Sequence, residues 1–379
     1  MKRNRTVDRA SPLFPDGSRR HRLHRGLVSE RQEHIFTWVA VVVVLLYATG
    51  WVGALAEQRR IRLAAPFGEP VGINPAMPSQ KITQRLLTPD HRSTAYLTDA
   101  MLTFLHPLRG QSGQVRFVTR LPGEPVAPDA PGELSAVIEG APGPDFVAPA
   151  RHGIYRFAVE MNRARKAIDD ISIISLVPLA EKRGGRIGSY NLGSWPYEQG
   201  GTPQSPRYAA PAGFIEVTQE NRNFQVSPHF RLGDFLTKDQ PNVWPKYLLL
   251  DPLLIDKLEL TLQELKNQGV DIQHVTVMSG FRTPRYNERG GNTAGRASTS
   301  RHMYGDAADI FIDNDRNGTM DDINGDGRVD TADAQMIARA AEAVERRHPS
   351  LIGGIGVYPA CCGHGPFTHV DVRGYRARW

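Results

Sequence analysis

The longest apolar run in the chain lies close to its N-terminus. Residues 35–56 read IFTWVAVVVVLLYATGWVGALA and contain no charged side chain. About 20 apolar residues span the hydrocarbon core of a bilayer as a helix, and Trp38, Tyr47 and Trp51 are aromatic residues typical of membrane interfaces. The pattern therefore predicts a transmembrane anchor over residues 35–56. A cleaved signal peptide is the alternative, although its apolar region usually spans only about 7–15 residues.

The segments on both sides of this run predict its orientation. Residues 1–34 contain nine Lys or Arg against four Asp or Glu, and basic segments beside a membrane helix stay on the cytoplasmic side. The basic arm 1–34 is therefore expected in the cytoplasm, and the rest of the chain outside the membrane after a single crossing. Because the arm carries +5 of the formal net charge of +6, the remainder is nearly neutral and no nucleic-acid partner is predicted.

Short apolar runs alternate with breakers in the next part of the chain. Residues 57–85 are rich in Pro and Gly and are interpreted as a linker. Residues 86–190 contain runs such as ELSAVIEG, GIYRFAVEM and DISIISLV, whose patterns are typical of strands. A β-rich domain of unknown role is expected there, with a sandwich as one arrangement. A second breaker-rich segment, residues 191–224, is expected to be another linker.

From residue 225 the pattern becomes mixed. Asp251 and Pro252 have the form of a helix start, and leucines at helical spacing follow them as far as Gly269, which indicates the end of the helix. IQHVTVMSG, AADIFI and FTHVDVRG have the character of strands, and AQMIARAAEAVERR that of a helix. The fold class predicted for residues 225–379 is α+β.

Two cysteines, Cys361 and Cys362, stand side by side. They provide no disulfide framework, and disulfide geometry is unfavourable between neighbouring residues. They are interpreted as small loop residues, with metal binding or redox sensitivity as the weaker alternative.

Carboxylates and glycines are regularly phased between residues 313 and 333. Calcium loops place acidic or amide side chains at alternate positions around a glycine, because Ca²⁺ binds many oxygen ligands. Two overlapping frames fit, one from Asp313 and one from Asp322, and the second resembles a dockerin-type loop because it ends in Asp333, which is also expected to cap the following helix. The alternatives are one shared ion, two ions or a solvated acidic loop. The predicted calcium ligands are Asp313, Asp315, Asn317, Asp321, Asp322, Asn324, Asp326, Arg328, Asp330 and Asp333.

Three other side chains suit a transition metal. His302 precedes the strand AADIFI, Asp309 lies within it, and His369 lies in the strand FTHVDVRG. Zinc is commonly held by His and Asp or Glu ligands, with one position open for water when the site is catalytic. The three residues are far apart in the sequence, so local spacing alone leaves a structural role open for each of them.

Four motifs strengthen this interpretation through their order. They are SGFRTP at Ser279–Pro284, SRHMYGDAAD at Ser300–Asp309, GGIGVYP at Gly353–Pro359 and FTHVDVRG at Phe367–Gly374. With them the chain resembles the D-Ala-D-Ala carboxypeptidase family of zinc peptidases, whose fold is shared with hedgehog proteins, and within it a bacterial cell-wall branch with an HxDxRG tail. The resemblance implies a small antiparallel sheet flanked by helices, and cleavage of D-amino-acid-containing peptide bonds in peptidoglycan.

The resemblance assigns roles position by position. His302, Asp309 and His369 match the zinc ligands, and two imidazoles with one carboxylate leave zinc a Lewis acid that activates water and polarises the scissile carbonyl. Arg282 matches the arginine that faces the substrate, where its guanidinium can grip a carboxylate or amide oxygen. A surface arginine in a turn is the alternative for this residue.

The general base has two candidates. Better-known branches of the family carry an acid three residues before the last zinc histidine, where this chain has Pro366. Asp371 shares a strand face with His369 and ranks slightly first, as a base or as a group that holds a metal ligand or an arginine in place. His364 stands where some relatives carry a catalytic histidine.

The expected protein is a zinc metallopeptidase anchored by one helix in the inner membrane of a bacterium, with its C-terminal domains in the periplasm and peptidoglycan peptides as substrates. Carboxypeptidase and cross-link endopeptidase activity both remain open, as do protein partners. Zn²⁺ is the expected catalytic cofactor, and Ca²⁺ is expected to brace the strand end near Asp309. The alternative is a non-catalytic peptidoglycan-binding or signalling protein that keeps the fold and the metals for structure.

Overall fold

The computed structural model describes residues 104–126, 134–139, 147–161, 164–290 and 296–379. All of these residues belong to one compact unit. The predicted basic arm (1–34), transmembrane segment (35–56) and first linker (57–85) lie outside the described residues. Within the described ranges, no helix combines the length and the apolar character needed to cross a bilayer.

The first sheet corresponds to the predicted β-rich region. Its strands are β1 (Phe117–Arg120), β2 (Leu134–Glu139), β3 (Gly153–Met161) and β4 (Ala164–Ser175). The order is β1-β4-β3-β2, with β1 parallel to β4 and the other pairs antiparallel. Apolar side chains such as Phe157 and Ile173 pack with Phe104 and Leu105 from the segment before β1. The described strands of this region therefore form one sheet and not the two layers of a sandwich. The short segment before β1 completes the apolar cluster of this sheet.

A middle region follows the first sheet. Its strands are β5 (Val177–Pro178), β6 (Arg186–Ile187), β7 (Tyr190–Asn191), β8 (Gly213–Val217) and β9 (Lys246–Leu248). β8 lies between β5 and β9 in an antiparallel sheet, and β6 pairs with β7. The sequence predicts a linker over residues 191–224, but Trp195, Tyr208 and Phe214 are buried there. Their apolar side chains make this segment a packed connection despite its many breakers.

The C-terminal region is a five-stranded sheet with helices. Its elements are α1 (Pro252–Asn267), β10 (Val275–Ser279), α2 (Pro284–Arg289), β11 (Ala307–Ile312), α3 (Thr331–Arg347), β12 (Gly354–Tyr358), β13 (Phe367–Asp371) and β14 (Ala377–Arg378). The strand order is β10-β11-β13-β12-β14. Neighbouring strands are antiparallel except β12 and β14, which are parallel. The α+β prediction is therefore confirmed, with one parallel edge strand added to the expected antiparallel sheet.

Local sequence signals determine where α1 begins and ends. The Asp251 carboxylate accepts a hydrogen bond from Leu253 N at 2.9 Å, and Pro252 occupies the first turn, where its missing N–H is not needed. The helix ends at Asn267, and Gly269 follows with a φ of 89°, a left-handed conformation that favours glycine. Both ends agree with the sequence signals.

Alternation along β13 separates a helix-covered face of the sheet from an open face. On the covered side, Val370 is fully buried and Thr368 Oγ1 donates to the Ala334 carbonyl of α3 at 2.7 Å. Successive side chains of a strand point to opposite faces, so His369 and Asp371 lie on the other side of the sheet. These polar side chains therefore lie on the face that the helices do not cover, which is the open face of the sheet.

The loop between β12 and β13 contains the two cysteines. Cys361 and Cys362 form a disulfide bond with each other, which corrects the expectation of two separate loop residues. Cys362 has a φ of 56°, and main-chain pairing of Cys361 with His364 closes the turn.

A buried ion pair lies beneath β13. Lys257 of α1 is fully buried, and its Nζ donates to the Glu345 carboxylate of α3 at 2.6 Å and to the Asp371 carbonyl at 2.7 Å. Burial lowers the pKa of Lys257, and Glu345 opposes this shift. The Glu345 carboxylate also accepts from Gly353 N at 2.9 Å and from Arg378. One carboxylate therefore joins both long helices to the strands that carry the polar face.

Replacing Glu345 by leucine is expected to destabilise the fold by about 3–5 kcal/mol, because Lys257 would remain buried without a charged partner. The double variant Lys257→Met/Glu345→Leu should recover most of that loss, since an apolar pair leaves no charge to desolvate. Denaturant unfolding measures both effects. The exposed pair of Arg347 with Glu264 provides the control, and Glu264→Gln should change stability by less than about 1 kcal/mol. Equal losses in the single and double variants would contradict this account of the pair.

Candidate metal centre

Strand pairing brings three potential metal ligands together. In the register of β11 with β13, Asp309 lies opposite His369. His302 comes from a short 3₁₀ turn, Arg301–Tyr304, that precedes β11. One nitrogen of each histidine and one Asp309 oxygen lie within 4.8 Å of one another, and all three side chains are buried. The structure therefore places the three residues that the sequence nominated for zinc in one group.

A main-chain carbonyl orients His302. Its Nδ1–H donates to the Gly280 carbonyl at 2.7 Å, so Nε2 faces the centre, 3.3 Å from Asp309 Oδ1. Burial lowers the pKa of His302, and the Asp309 carboxylate opposes this only in part. The imidazole therefore favours the neutral form that binds metals. Gly280 packs so closely on Phe235 that a Cβ would overlap it, which explains the glycine of the SGFRTP motif.

His369 lies between two carboxylates. Its Nδ1 is 2.8 Å from Asp309 Oδ1, and its Nε2 is 3.0 Å from Asp371 Oδ2. Burial alone lowers the pKa of His369, but the hydrogen bonds to Asp309 and Asp371 outweigh burial and raise that pKa to about 9. A metal at the centre would replace the proton on Nδ1, while Nε2–H would keep its hydrogen bond to Asp371.

Asp309 divides its two oxygens between the histidines and an arginine. Oδ1 faces both imidazoles, and Oδ2 accepts from Arg282 Nη2 at 2.8 Å. Burial raises the pKa of Asp309, but His302 and His369 hold it well below its usual range. Two imidazoles and one carboxylate are ligands that zinc prefers, and carbonyl or carboxylate partners on the outer ring nitrogens are the usual support for such ligands. The donor set therefore fits zinc.

Asp371 holds His369 within a set of buried hydrogen bonds. Its fully buried carboxylate accepts from His369 Nε2, from Gly354 N at 2.7 Å, and from Arg373 Nε at 2.9 Å and Nη2 at 2.5 Å. Burial raises the pKa of Asp371, but the bonds to His369 and Arg373 hold it far below its usual range. A carboxylate with so low a pKa is a poor base. Of the two roles expected for Asp371, these contacts favour the orientation of a metal ligand over that of the base.

His364 lies outside the ligand group, on the loop before β13. Its Nδ1–H donates to the Gly365 carbonyl at 2.8 Å, so in the neutral ring Nε2 carries the free lone pair. The ring packs edge-on against Phe367, with the two centroids 5.0 Å apart. Phe367 shares the strand face of His369 because the two are separated by one residue. The Gly365 carbonyl thus leaves His364 Nε2 as a hydrogen-bond acceptor, on a ring that packs against Phe367.

Arg282 is tied to the centre and is not a free surface residue. Its main-chain N donates to the His302 carbonyl at 3.0 Å, and its Nε donates to Ser279 Oγ at 2.8 Å. Only 16% of the side chain is exposed, and Nη2 is bonded to Asp309. Among the described residues, Nη1 has no partner. Arg282 therefore supports the metal ligand Asp309 and keeps Nη1 available as a donor.

β12 contributes residues that sequence reasoning did not assign to the site. Gly356 lies opposite His369, and a Cβ there would overlap the indole of Trp379. That indole packs on the His369 ring with centroids 5.1 Å apart, and its Nε1–H donates to Tyr358 OH at 2.5 Å. The alternate glycines of GGIGVYP are the signal that could have pointed here, because glycine within a strand often marks close approach of another group.

Part of the predicted calcium loop forms a second acidic group. Asp313 follows β11 directly and is buried, and one of its oxygens lies within 4.8 Å of oxygens from Asp315 and Asp321. Asn317 uses its side chain within the loop, since its Oδ1 accepts from Thr319 N and its Nδ2 donates to Asp315, both at 2.8 Å. The structure thus brings three of the first frame's predicted ligands together.

The second predicted calcium frame is folded by hydrogen bonds to its own main chain. Asp322 accepts from Gly327 N at 2.8 Å. Asn324 Oδ1 accepts from Asp326 N at 2.8 Å, and Asp326 Oδ1 accepts from Arg328 N at 2.9 Å. Within residues 296–379, this frame does not bring three carboxylates as close together as the first. Its calcium ligands stay a prediction.

The end of the acidic loop starts α3. Asp330 is the N-cap, and its carboxylate accepts from Ala332 N at 2.7 Å. Asp333 Oδ2 accepts from Asp330 N at 2.9 Å, which completes a capping box, and its Oδ1 accepts from Ile323 N at 3.0 Å. Asp333 therefore contributes to the cap of this helix as expected, as the third helical residue of a capping box in which Asp330 is the N-cap.

The Asp371→Asn variant is expected to bind zinc about 10–100-fold more weakly, because an amide gives poorer support to the ligating His369. Competition with a chromogenic chelator measures the dissociation constant. Asp169→Asn is the matched control, since Asp169 is an exposed aspartate of the first sheet, and its zinc affinity should equal that of the wild type. An unchanged affinity in Asp371→Asn would rule out the positioning role.

Comparison with known proteins finds a family similar to part of this region. Residues 251–332 match the family model described as peptidase M15, and the match includes His302 and Asp309 but ends before β13. Searches of curated proteins and of solved structures find no match. The matched segment supplies two of the three side chains in the metal group. Residues 251–332 of this chain are thus similar to the peptidase M15 family, a family of D-Ala-D-Ala carboxypeptidase-type zinc peptidases.

Proposed function

We propose that the chain is a zinc peptidase that hydrolyses peptide bonds next to D-amino acids in peptidoglycan. The observation that carries the proposal is the convergence of His302, Asp309 and His369, two of them within the segment matched to the peptidase family. Structural zinc sites fill all four positions with protein ligands, whereas catalytic sites use three and keep one for water or substrate. Three ligands among the described residues therefore favour a catalytic site.

The residues around the centre have separate roles in the proposed reaction. Zinc held by these ligands supplies a Lewis acid that activates water and polarises the scissile carbonyl. Arg282 holds Asp309 through Nη2, and its Nη1 can donate to an oxygen of the substrate. A charge-assisted hydrogen bond of this kind fixes the orientation of the peptide, which lowers the entropic part of the barrier.

We assign proton transfer to His364. Its Nδ1–H is occupied by the Gly365 carbonyl, so Nε2 has the lone pair that a general base needs. The ring rests on Phe367, on the face that carries the metal ligands. The competing candidate, Asp371, is already bonded to His369 and Arg373.

The proposed place of action is the periplasmic side of a bacterial inner membrane. The uncharged apolar run over residues 35–56 and the basic arm before it support a single membrane crossing in that orientation. Peptidoglycan lies on that side of the membrane. The two reactions to distinguish are removal of a terminal D-residue by a carboxypeptidase and cleavage of a cross-link by an endopeptidase.

Two histidine variants should separate metal binding from chemistry. His302→Ala is expected to lose both zinc and muropeptide cleavage, because it removes a ligand. His364→Gln is expected to keep its zinc while kcat falls by roughly 100-fold, since general base catalysis contributes about 10²–10⁴-fold. Elemental analysis measures the zinc, and chromatography of digested muropeptides measures the cleavage.

His152→Ala is the control for this pair, because His152 is 35% exposed and contacts Glu216 away from the metal group. This variant should keep its zinc and its full activity. Digestion of uncross-linked and cross-linked muropeptides in parallel identifies the bond that is cut. A zinc-loaded wild-type chain that binds muropeptides without turnover would favour the non-catalytic binding or signalling role.

We further propose that Asp313, Asp315 and Asp321 hold a structural Ca²⁺ ion. Three carboxylates this close repel one another unless a cation lies between them, and oxygen ligands are those that Ca²⁺ prefers. Asp313 Oδ2 accepts from Thr276 Oγ1 of β10 at 2.7 Å. An ion at this point would tie β10 to the end of β11, the strand that carries Asp309.

Calcium at about 100 times its dissociation constant is expected to stabilise the chain by about 2.7 kcal/mol, which raises Tm. Asp313→Asn should abolish most of the increase, because it removes the buried ligand, whereas the exposed Asp169→Asn should retain it. Thermal unfolding in chelator-treated buffer, with and without added calcium, measures the shift. Identical melting temperatures in the two buffers would refute the calcium site and leave the zinc proposal untouched.

A further inference from the structure

Tyr358 lies on the open face of the C-terminal sheet, beside the metal ligands. It ends β12 and pairs with Phe367, and two residues before it Gly356 pairs with His369. Because side chains alternate along a strand, Tyr358 shares the face of His369. Its ring stacks on Phe367 with centroids 4.6 Å apart and an interplanar angle of 6°. The phenol is therefore held in one orientation.

Trp379 fixes the position of the Tyr358 hydroxyl. Its main chain pairs with β12, where Val357 N donates to the Trp379 carbonyl at 3.0 Å. The indole Nε1–H donates to Tyr358 OH at 2.5 Å, while the same indole packs on His369 and on the Arg373 guanidinium, the latter 5.2 Å from the ring centroid. A single indole thus spans the distance between a metal ligand and the phenol oxygen.

The Tyr358 hydroxyl retains a proton that it can donate. A phenol has one O–H and two lone pairs, and the indole N–H occupies one lone pair. Among the described residues, none accepts the Tyr358 proton. Burial raises the pKa of Tyr358, and the nearby Asp309 carboxylate adds to the shift, so the phenol stays protonated at neutral pH.

The strand order places donors on both sides of the metal group. Asp309 and His369 lie on the two inner strands, β11 and β13, whereas Arg282 follows β10 on one side and Tyr358 ends β12 on the other. A peptide that crosses the open face at the metal group therefore passes between the Arg282 guanidinium and the Tyr358 hydroxyl.

We propose that Tyr358 is a catalytic residue that donates a hydrogen bond to the oxygen of the scissile carbonyl, and that Trp379 positions it. This inference rests on the proposed function. The carbonyl oxygen gains negative charge as its carbon becomes tetrahedral, so a fixed O–H binds it more strongly in the transition state than in the bound substrate. The proton stays on Tyr358 throughout, and no bond to this residue is made or broken.

Tyr358→Phe tests the inference because it removes only the hydroxyl and keeps the stacked ring. In the purified full chain loaded with zinc, kcat/KM for muropeptide cleavage should fall by roughly 100-fold, the size of effect expected for one donor at a developing oxyanion, with KM nearly unchanged. Affinity for a phosphinate peptide, which is tetrahedral and anionic at the reacting position, should fall by a similar factor. Zinc content and Tm should stay at the wild-type values.

Trp379→Phe tests the positioning role, because it keeps an aromatic ring against His369 but lacks the N–H. Its kcat/KM should fall by about 10-fold, as expected for one hydrogen bond. The double variant Tyr358→Phe/Trp379→Phe should be no slower than Tyr358→Phe alone, because Trp379 acts through the hydroxyl. Losses that multiply in the double variant would overturn the positioning role.

Tyr155→Phe is the control, since the Tyr155 hydroxyl donates to the Arg151 carbonyl at 2.7 Å in the first sheet and takes no part in the proposed site, so its activity should be that of the wild type. If Tyr358→Phe cleaves as fast as the wild type, or loses its zinc, the inference is overturned while the peptidase function stands. If the zinc-loaded wild-type chain does not cleave muropeptides at all, the proposed function fails first, and the inference fails with it.

Discussion

The pairing of β11 with β13 is the constraint on which the site depends. Its register sets Asp309 opposite His369. A slip of one residue would turn Asp309 into the helix-covered layer and bring an apolar side chain to the metal group. That layer resists the slip, because Ile310 and Val370 on its side of the same two strands are fully buried. The core that stabilises the fold therefore also enforces the alignment of the ligands.

Around this pairing, buried charges alternate in sign. The series Arg282, Asp309, His369, Asp371 and Arg373 is continuous through side-chain contacts on the open face. Each carboxylate is shared between His369 and one arginine, so opposite charges on both sides offset the cost of burying it. His369 carries a proton in this series, with a pKa of about 9, and a cation at the centre can replace that proton on Nδ1 while the other contacts persist. The support for the ligands is thus assembled in advance, which lowers the ordering cost of metal binding.

Local signals were sufficient where a few neighbouring residues decide the structure. The cap at Asp251 and the apolar strand AADIFI are of this kind, and motif order was enough to nominate the zinc ligands. The sequence left two roles open for Asp371, and the choice between them depends in part on its hydrogen bond from Gly354 N, which belongs to a separate strand. Trp379 was missed for the same reason, since its contacts exist only after β14 joins the sheet edge. Over residues 191–224, Pro and Gly indicate interrupted secondary structure, but they carry no information on whether the segment is packed.

Two glycines of β12 connect the C-terminal segment to the metal group. Gly354 and Gly356 lie on the open face, where a Cβ would overlap the Asp371 carboxylate and the Trp379 indole respectively. Glycine within a strand costs stability, because it gives up more backbone freedom on folding and offers no side chain to pack. Here that cost is offset because the missing Cβ atoms leave room for the Asp371 carboxylate and the Trp379 indole. Asp371 reaches the Gly354 N–H and His369, and the indole packs on the His369 ring at an interplanar angle of 45°. The last metal ligand is therefore contacted on the face of the sheet that the helices do not cover, while α3 packs against its strand on the other face.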